Sequence, residues 1–247
     1  MTASPPPGKV DRVRGMANIP LSRTGQLEAD YLGQRIREKG GADSIISSDL
    51  DRAKETTAAI LRHNPNIKLD GVTKDLDPLH QGALEGRPVH EAQAALQHYA
   101  HNPDERFPGV GLSGVPGESI NEHSRRAAST VHKLLHSLKP GERKLVSAHN
   151  SMIRWLHGWV KAGGGPDLKS NPEEMVSRDE KHEPAAALYR LVKKNGRAAL
   201  EPNDIQSNEP VKPGLNFLRH GSTAFHAETG SSVTNRLAVM GKRGLTS

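Results

Sequence analysis

Apolar positions recur along this chain in two rhythms, one of helices and one of short strands. Leu27, Leu32 and Ile36 recur at helical spacing, which predicts a helix from about Ser22 to Lys39. Ser22 is placed to cap its start and Gly40-Gly41 to end it. A strand over Asp43 to Ser47 and a helix running to about His63 follow. Pro88 to Tyr99 and about Glu118 to Leu138 read as helices, with the Pro/Gly-rich loop Asn102 to Pro116 between them, long enough for a lid or a substrate wall. Lys144 to Ala148 is an apolar strand running into His149 and an amphipathic helix. Ala185 to Lys193, turning at Asn195-Gly196 into Arg197 to Leu200, has the pattern of an edge hairpin. Asn216-Phe217-Leu218 is a last short strand. Strand-helix alternation of this kind predicts an α/β fold with a mostly parallel sheet.

The 247 residues suit one α/β domain, with residues 1–11 as a flexible lead-in, 163–182 as a polar mobile insertion and 201–213 as a linker. Only eight residues are aromatic, so the core must come from Leu, Ile, Val and Ala. The 34 basic and 28 acidic residues give a net charge of +6, which suits anionic small-molecule substrates. Basic residues are mixed with acids rather than clustered, which argues against a nucleic-acid partner. The absence of cysteine excludes disulfides and thiolate metal sites. His132 and His136, four apart on a helix, lack a nearby third ligand and read as a solvated face, so no metal or cofactor is expected. No long apolar run or secretory leader is present, and a cytoplasmic protein without membrane contact is the default expectation.

Candidate chemistry lies where strands end. Arg219-His220-Gly221-Ser222-Thr223 closes the last strand with a basic pair, a glycine and two hydroxyls. Neighbouring strand residues point to opposite faces, so Arg219 and His220 can serve one ligand only if the chain turns there, and Gly221 permits the turn. Imidazole attacks phosphorus readily and guanidinium forks onto phosphoryl oxygens. His149 ends the Lys144–Ala148 strand, and Arg52 opens the helix after the Asp43–Ser47 strand.

With these three strand ends, Arg14-Gly15 through Pro20-Leu21-Ser22-Arg23-Thr24-Gly25, Gly82-Ala83-Leu84-Glu85-Gly86 and Pro116-Gly117-Glu118-Ser119, the chain resembles the histidine phosphatase superfamily, the phosphoglycerate-mutase-like fold. That resemblance covers about Arg12 to His226. It implies a three-layer α/β/α domain, His220 as the nucleophile of a phosphohistidine, and Arg219, Arg52 and His149 as the groups that neutralise the phosphoryl charge. Gly221, Ser222, Thr223, His226, Arg14 and His80 would bind phosphate or substrate. Where mutase-like members carry an acidic proton donor this chain has Pro78, with Asp77 beside it and Glu85 beyond as substitutes. His226 stands where many members have asparagine.

Motif order departs from the family. There the Arg-His-Gly strand comes first; here it comes last, which implies a circular permutation with the family's usual ends joined through Glu201 to Pro213. A homodimer exchanging the last strand, or a place within a larger polypeptide, would also accommodate that order. The expected function is a phosphomonoesterase. The alternatives are a phosphoglycerate-mutase-type phosphotransferase and a catalytically reduced domain with a binding or structural role.

Overall fold

The computed structural model describes residues 11–163, 172, 188–194, 197–202, 209–221 and 223. The lead-in 1–10, nearly all of the 163–182 insertion, the Asn195-Gly196 turn, Ser222 and His226 lie outside the described residues.

Helix α1 (Arg23–Glu38) begins as its sequence predicts, with Ser22 Oγ accepting from Gly25 N at 3.1 Å. It is followed by β1 (Ser44–Ser48), α2 (Asp51–His63), β2 (Lys68–Thr73), α3 (Val89–His101), α4 (Ile120–Ser137), β3 (Arg143–Ala148) and α5 (Asn150–Lys161). The hairpin forms as β4 (Leu188–Lys194) and β5 (Arg197–Pro202), and β6 (Gly214–Arg219) comes last. Helix α4 carries a full capping box, Ser119 accepting from Glu122 N and Glu122 from Ser119 N. The strand β2 has no counterpart in the sequence reading. It is an edge strand with Leu69 and Val72 exposed, so no buried face imposes a clear alternation on it.

The six strands run in the order β2-β1-β3-β6-β4-β5. Parallel pairing joins β2, β1, β3 and β6, and only β4 runs against its neighbours. Alternation along the central strands separates two cores. Ile45, Leu145 and Leu218 pack with Leu32, Ile36 and Ile60 beneath α1 and α2. Val146, Ala148, Leu215 and Phe217 pack with Leu96, Val131, Met152 and Trp155 beneath α3, α4 and α5. The result is a three-layer α/β/α arrangement. Burying a side chain such as Phe217 completely stabilises the fold by roughly 2–3 kcal/mol.

Strand register aligns the carboxyl ends. Ser47 pairs with Ser147, Ser147 with Leu218, and Ala148 with Arg219, so β1, β3 and β6 all terminate at one level. The residues just beyond those ends share one crevice, where ligands of open α/β sheets bind. Among the described residues no helix is long and apolar enough to cross a membrane.

Candidate active site

A cleft of about 90 Å³, roughly three water volumes, opens at the carboxyl ends of the parallel strands. Its lining includes Arg14, Arg52, Arg154, Arg219, His149 and His220, with Asn150 and Ser151 from the first turn of α5. No Asp or Glu is among the described lining residues, so the wall they form is strongly positive. Amides at the start of α5 add the positive end of a helix dipole.

The strand β6 delivers Arg219 and His220, both buried. The His220 Nδ1–H donates to Gly221 O at 2.6 Å, which reserves Nε2 as the lone-pair nitrogen. A Cβ on Gly221 would collide with the Gly25 carbonyl, so only glycine lets the chain turn here against α1. Beyond it, Thr223 is buried and forms a bridge with Leu21. The rings of His149 and His220 are 5.1 Å apart.

Arg52, 1% exposed, reaches from the first turn of α2. It donates to Ala17 O at 2.7 Å, Gly15 O at 2.9 Å and His149 Nδ1 at 3.3 Å. A guanidinium has five N–H groups, so these bonds do not exhaust it. Burial, and then the charge of Arg14, bring its pKa down from 12.5 to about 9. The segment Arg14–Leu21 is tied to α2 a second time, by Asn18 Nδ2 to Asp51 at 2.9 Å and by Leu21 N to Glu55 at 2.8 Å. This fastening explains the Arg14-Gly15 to Leu21 motif, which brings Arg14 to the cleft.

Burial pushes the pKa of both His149 and His220 well below 6.5, and Arg52 adds to this in each case. Both rings are therefore neutral at pH 7 when no anion is bound.

The two candidate proton donors lie elsewhere. Glu85 accepts from Met16 N at 2.7 Å, Ser113 N at 3.1 Å and Ser113 Oγ at 2.8 Å, which binds the 102–116 loop to the Arg14–Leu21 segment. Neither Glu85 nor any residue of that loop lines the cleft. Asp77, 1% exposed, is also behind the wall, its Oδ1 accepting from Ser48 Oγ at 2.6 Å and Asp49 N at 3.2 Å. His80 does not line the cleft either, its ring 3.9 Å from Glu118.

Residues that sequence reasoning did not single out complete the site. Arg154, Asn150 and Ser151 enter because α5 starts directly after His149, and their positions in its first turns were the available signal. Behind them Glu118 accepts from Arg126 at 2.6 Å and His80 N at 3.0 Å, with His123 Nδ1 3.2 Å away. Although burial opposes it, these partners hold the Glu118 pKa down to about 2. Arg126 also donates to the carbonyls of Asp77 at 2.8 Å and Pro78 at 3.2 Å, fixing the cleft wall to α4.

Comparison with known proteins bears on the family and the fold. A broad-specificity phosphatase of Saccharomyces cerevisiae is 25% identical over 153 residues, 60% of this chain and 63% of its own length. A Yersinia pestis protein named "Probable phosphoglycerate mutase GpmB" is 29% identical over 150 residues, 59% of this chain and 65% of its own. The chain thus spans somewhat less than two thirds of these relatives. Among solved structures, a mycobacterial glucosyl-3-phosphoglycerate phosphatase in complex with inorganic phosphate superimposes with a TM-score of 0.57 at 19% identity, covering 78% of this chain and 91% of that one. At that identity the likeness is one of fold. The sequence pattern of the histidine phosphatase superfamily (branch 1) matches residues 8–170, about two thirds of the chain, and the chain belongs to that superfamily.

Proposed function

We propose that the protein hydrolyses phosphate monoesters through a phosphohistidine at His220. One observation carries the reading: a neutral His220, held through Nδ1 by Gly221 O, faces a cleft whose described lining is rich in arginine and holds no carboxylate. Nε2 attacks phosphorus, the bond from phosphorus to the ester oxygen breaks, and that oxygen leaves with a proton taken from solvent. Water then attacks the phosphohistidine, releasing inorganic phosphate and restoring the imidazole. Arg219, Arg52, Arg14 and the amides opening α5 oppose the charge on the equatorial oxygens, where fixed donors are worth most.

No carboxyl group among the described lining residues is placed to protonate the leaving oxygen. General acid catalysis is typically worth about 10² to 10⁴ in rate, most for alkoxides and least for aryl and acyl leaving groups. The preferred substrates are therefore phosphates of good leaving groups. Relatives carry both phosphatase and phosphoglycerate mutase names, and the Pro78 at the place of the mutase proton donor supports the hydrolytic reading.

We further propose that the permuted motif order builds this site within one subunit. Three observations support it. The superfamily match ends at residue 170 and so excludes the Arg219-His220 motif. The strand carrying that motif nevertheless lies between β3 and β4 in the same sheet. Thr223, three residues past the nucleophile, already pairs with Leu21 in the segment that comes after this motif in the family.

The test is steady-state turnover of p-nitrophenyl phosphate between pH 5 and 7 by the wild type and His220→Ala. Turnover by the wild type that falls at least about a thousandfold in the variant is expected. A folded wild type that neither turns over nor traps phosphate on His220 would overturn the reading in favour of a binding role. Transfer from 2,3-bisphosphoglycerate to monophosphoglycerate faster than hydrolysis would replace it with the mutase.

A further inference from the structure

His149 belongs to a buried chain of hydrogen bonds whose direction is set by proton accounting. Arg52 Nε approaches His149 Nδ1 at 3.3 Å, His149 Nε2 lies 2.7 Å from Ser48 Oγ, and Ser48 Oγ lies 2.6 Å from Asp77 Oδ1. A guanidinium donates and never accepts, so Nδ1 must present its lone pair. A neutral imidazole then carries its proton on Nε2, which donates to Ser48 Oγ. That oxygen already accepts from Leu50 N at 3.3 Å, so the serine's own proton is directed to Asp77. The 2.6 Å separation is that of a hydroxyl on a carboxylate. Asp49 N, at 3.2 Å from the same Oδ1, likewise requires an acceptor there. Every proton points one way, from Arg52 through His149 and Ser48 to Asp77.

We infer that Ser48 and Asp77 are positioning residues for His149, receiving the Nε2–H of the tautomer that Arg52 selects and supporting the extra proton that the ring takes up when a phosphoryl dianion enters the cleft. With an anion bound, Arg52 can turn Nε to a phosphoryl oxygen, and Nδ1 acquires a proton from solvent and becomes a donor to the same anion. Nε2–H remains on Ser48, and the carboxylate beyond it balances the imidazolium. The ring is otherwise surrounded by positive charge, from Arg52 on α2, Arg14 before α1, Arg126 on α4 and Arg219 on β6, with His220 beside it. Asp77 is the acid within one hydroxyl of it, and Arg126 and Asp49 fix that acid from α4 and from the end of β1. The direction of the chain is independent of catalysis; its consequence for rate rests on the phosphatase reading.

Two measurements test it. The side-chain 15N resonances of His149 report its tautomer directly, with and without inorganic phosphate. The wild type is expected to show the Nε2–H form without phosphate and the doubly protonated form with it at pH 7, and Ser48→Ala to keep the first and lose the second. An Nδ1–H ring in the wild type, or a phosphate-bound ring in Ser48→Ala as fully protonated as in the wild type, would overturn the inference whether or not the protein is a phosphatase. The second is the pH profile on p-nitrophenyl phosphate. Asp77→Asn keeps the acceptor oxygen and removes the charge, and is expected to lower kcat about tenfold and move the alkaline limb to lower pH, with KM little changed. A profile identical to the wild type, in a variant with unchanged thermal unfolding, refutes the role of Asp77. A wild type without turnover would fail the phosphatase reading alone, because the resonances would still decide the chain.

Discussion

At the scale of single residues, the site depends on groups that do two things at once. Arg52 both fastens Gly15 and Ala17 and meets His149, a three-way fork that an ammonium cannot reproduce. Arg52→Lys is therefore expected to lower kcat/KM for p-nitrophenyl phosphate by about 10² or more, close to the loss of one fixed oxyanion donor. The buried histidines set an acid limit. Their folded pKa values lie below 6.5, so between those values and 6.5 the unfolded chain binds more protons than the folded one, and stability falls as pH falls. The expected slope is at most about 1.4 kcal/mol per pH unit for each ring, seen as a declining unfolding midpoint below pH 6.5. Part of that decline should vanish in His220→Ala. Arg219, His220, His149 and Arg52 were readable in sequence because each succeeds or closes an apolar strand. Ser48 and Arg126 were not, because a serine at a strand end and an arginine on a helix are ordinary until the fold supplies their partners.

Elements are joined at this site by buried polar contacts rather than by apolar packing alone. Arg126 connects α4 to Glu118 and to the carbonyls of residues 75, 77 and 78. Arg126→Ala is expected to destabilise the protein by about 2 kcal/mol in urea unfolding, between the values for exposed and buried pairs, and to lower activity through the displaced wall. Glu118, with its pKa near 2, contributes stability that is complete above about pH 4.5 and lost as pH falls toward 2. The helices were legible because their caps and their periodicity agree, as Ser22 and the Ser119–Glu122 box show. The strand β2 was not, since an edge strand with exposed Leu69 and Val72 carries no buried stripe. Asp77 and Glu85 were misplaced for a related reason: sequence gives the nearness of an acid to a motif, while the backbone decides whether its carboxylate faces the cleft or, as with Glu85, ties one loop to another.

For the molecule as a whole, the sharpest expectation concerns motif order. A chain with its present ends linked and new ends opened within residues 203–208 restores the family's order. It is expected to fold with the same unfolding midpoint to within a few degrees and to keep its turnover; loss of both would show that the site is completed in another way. A bound anion should stabilise the folded state through the arginines of the cleft, by about 1.4 kcal/mol at ten times its dissociation constant. Inorganic phosphate should accordingly raise the melting temperature of the wild type and not that of Arg219→Ala. The sequence by itself determined the strand-helix alternation, the helix caps and the basic strand ends, because these arise from local periodicity and from backbone preferences within a few residues. The tertiary structure alone decided that β6 lies between β3 and β4, that Asp77 faces Ser48 instead of the cleft, and that Glu85 is a tie between loops. Those outcomes depend on parallel register and on which buried polar groups find partners, and both are set between residues as far apart as Ser48 and His149, or Leu21 and Thr223.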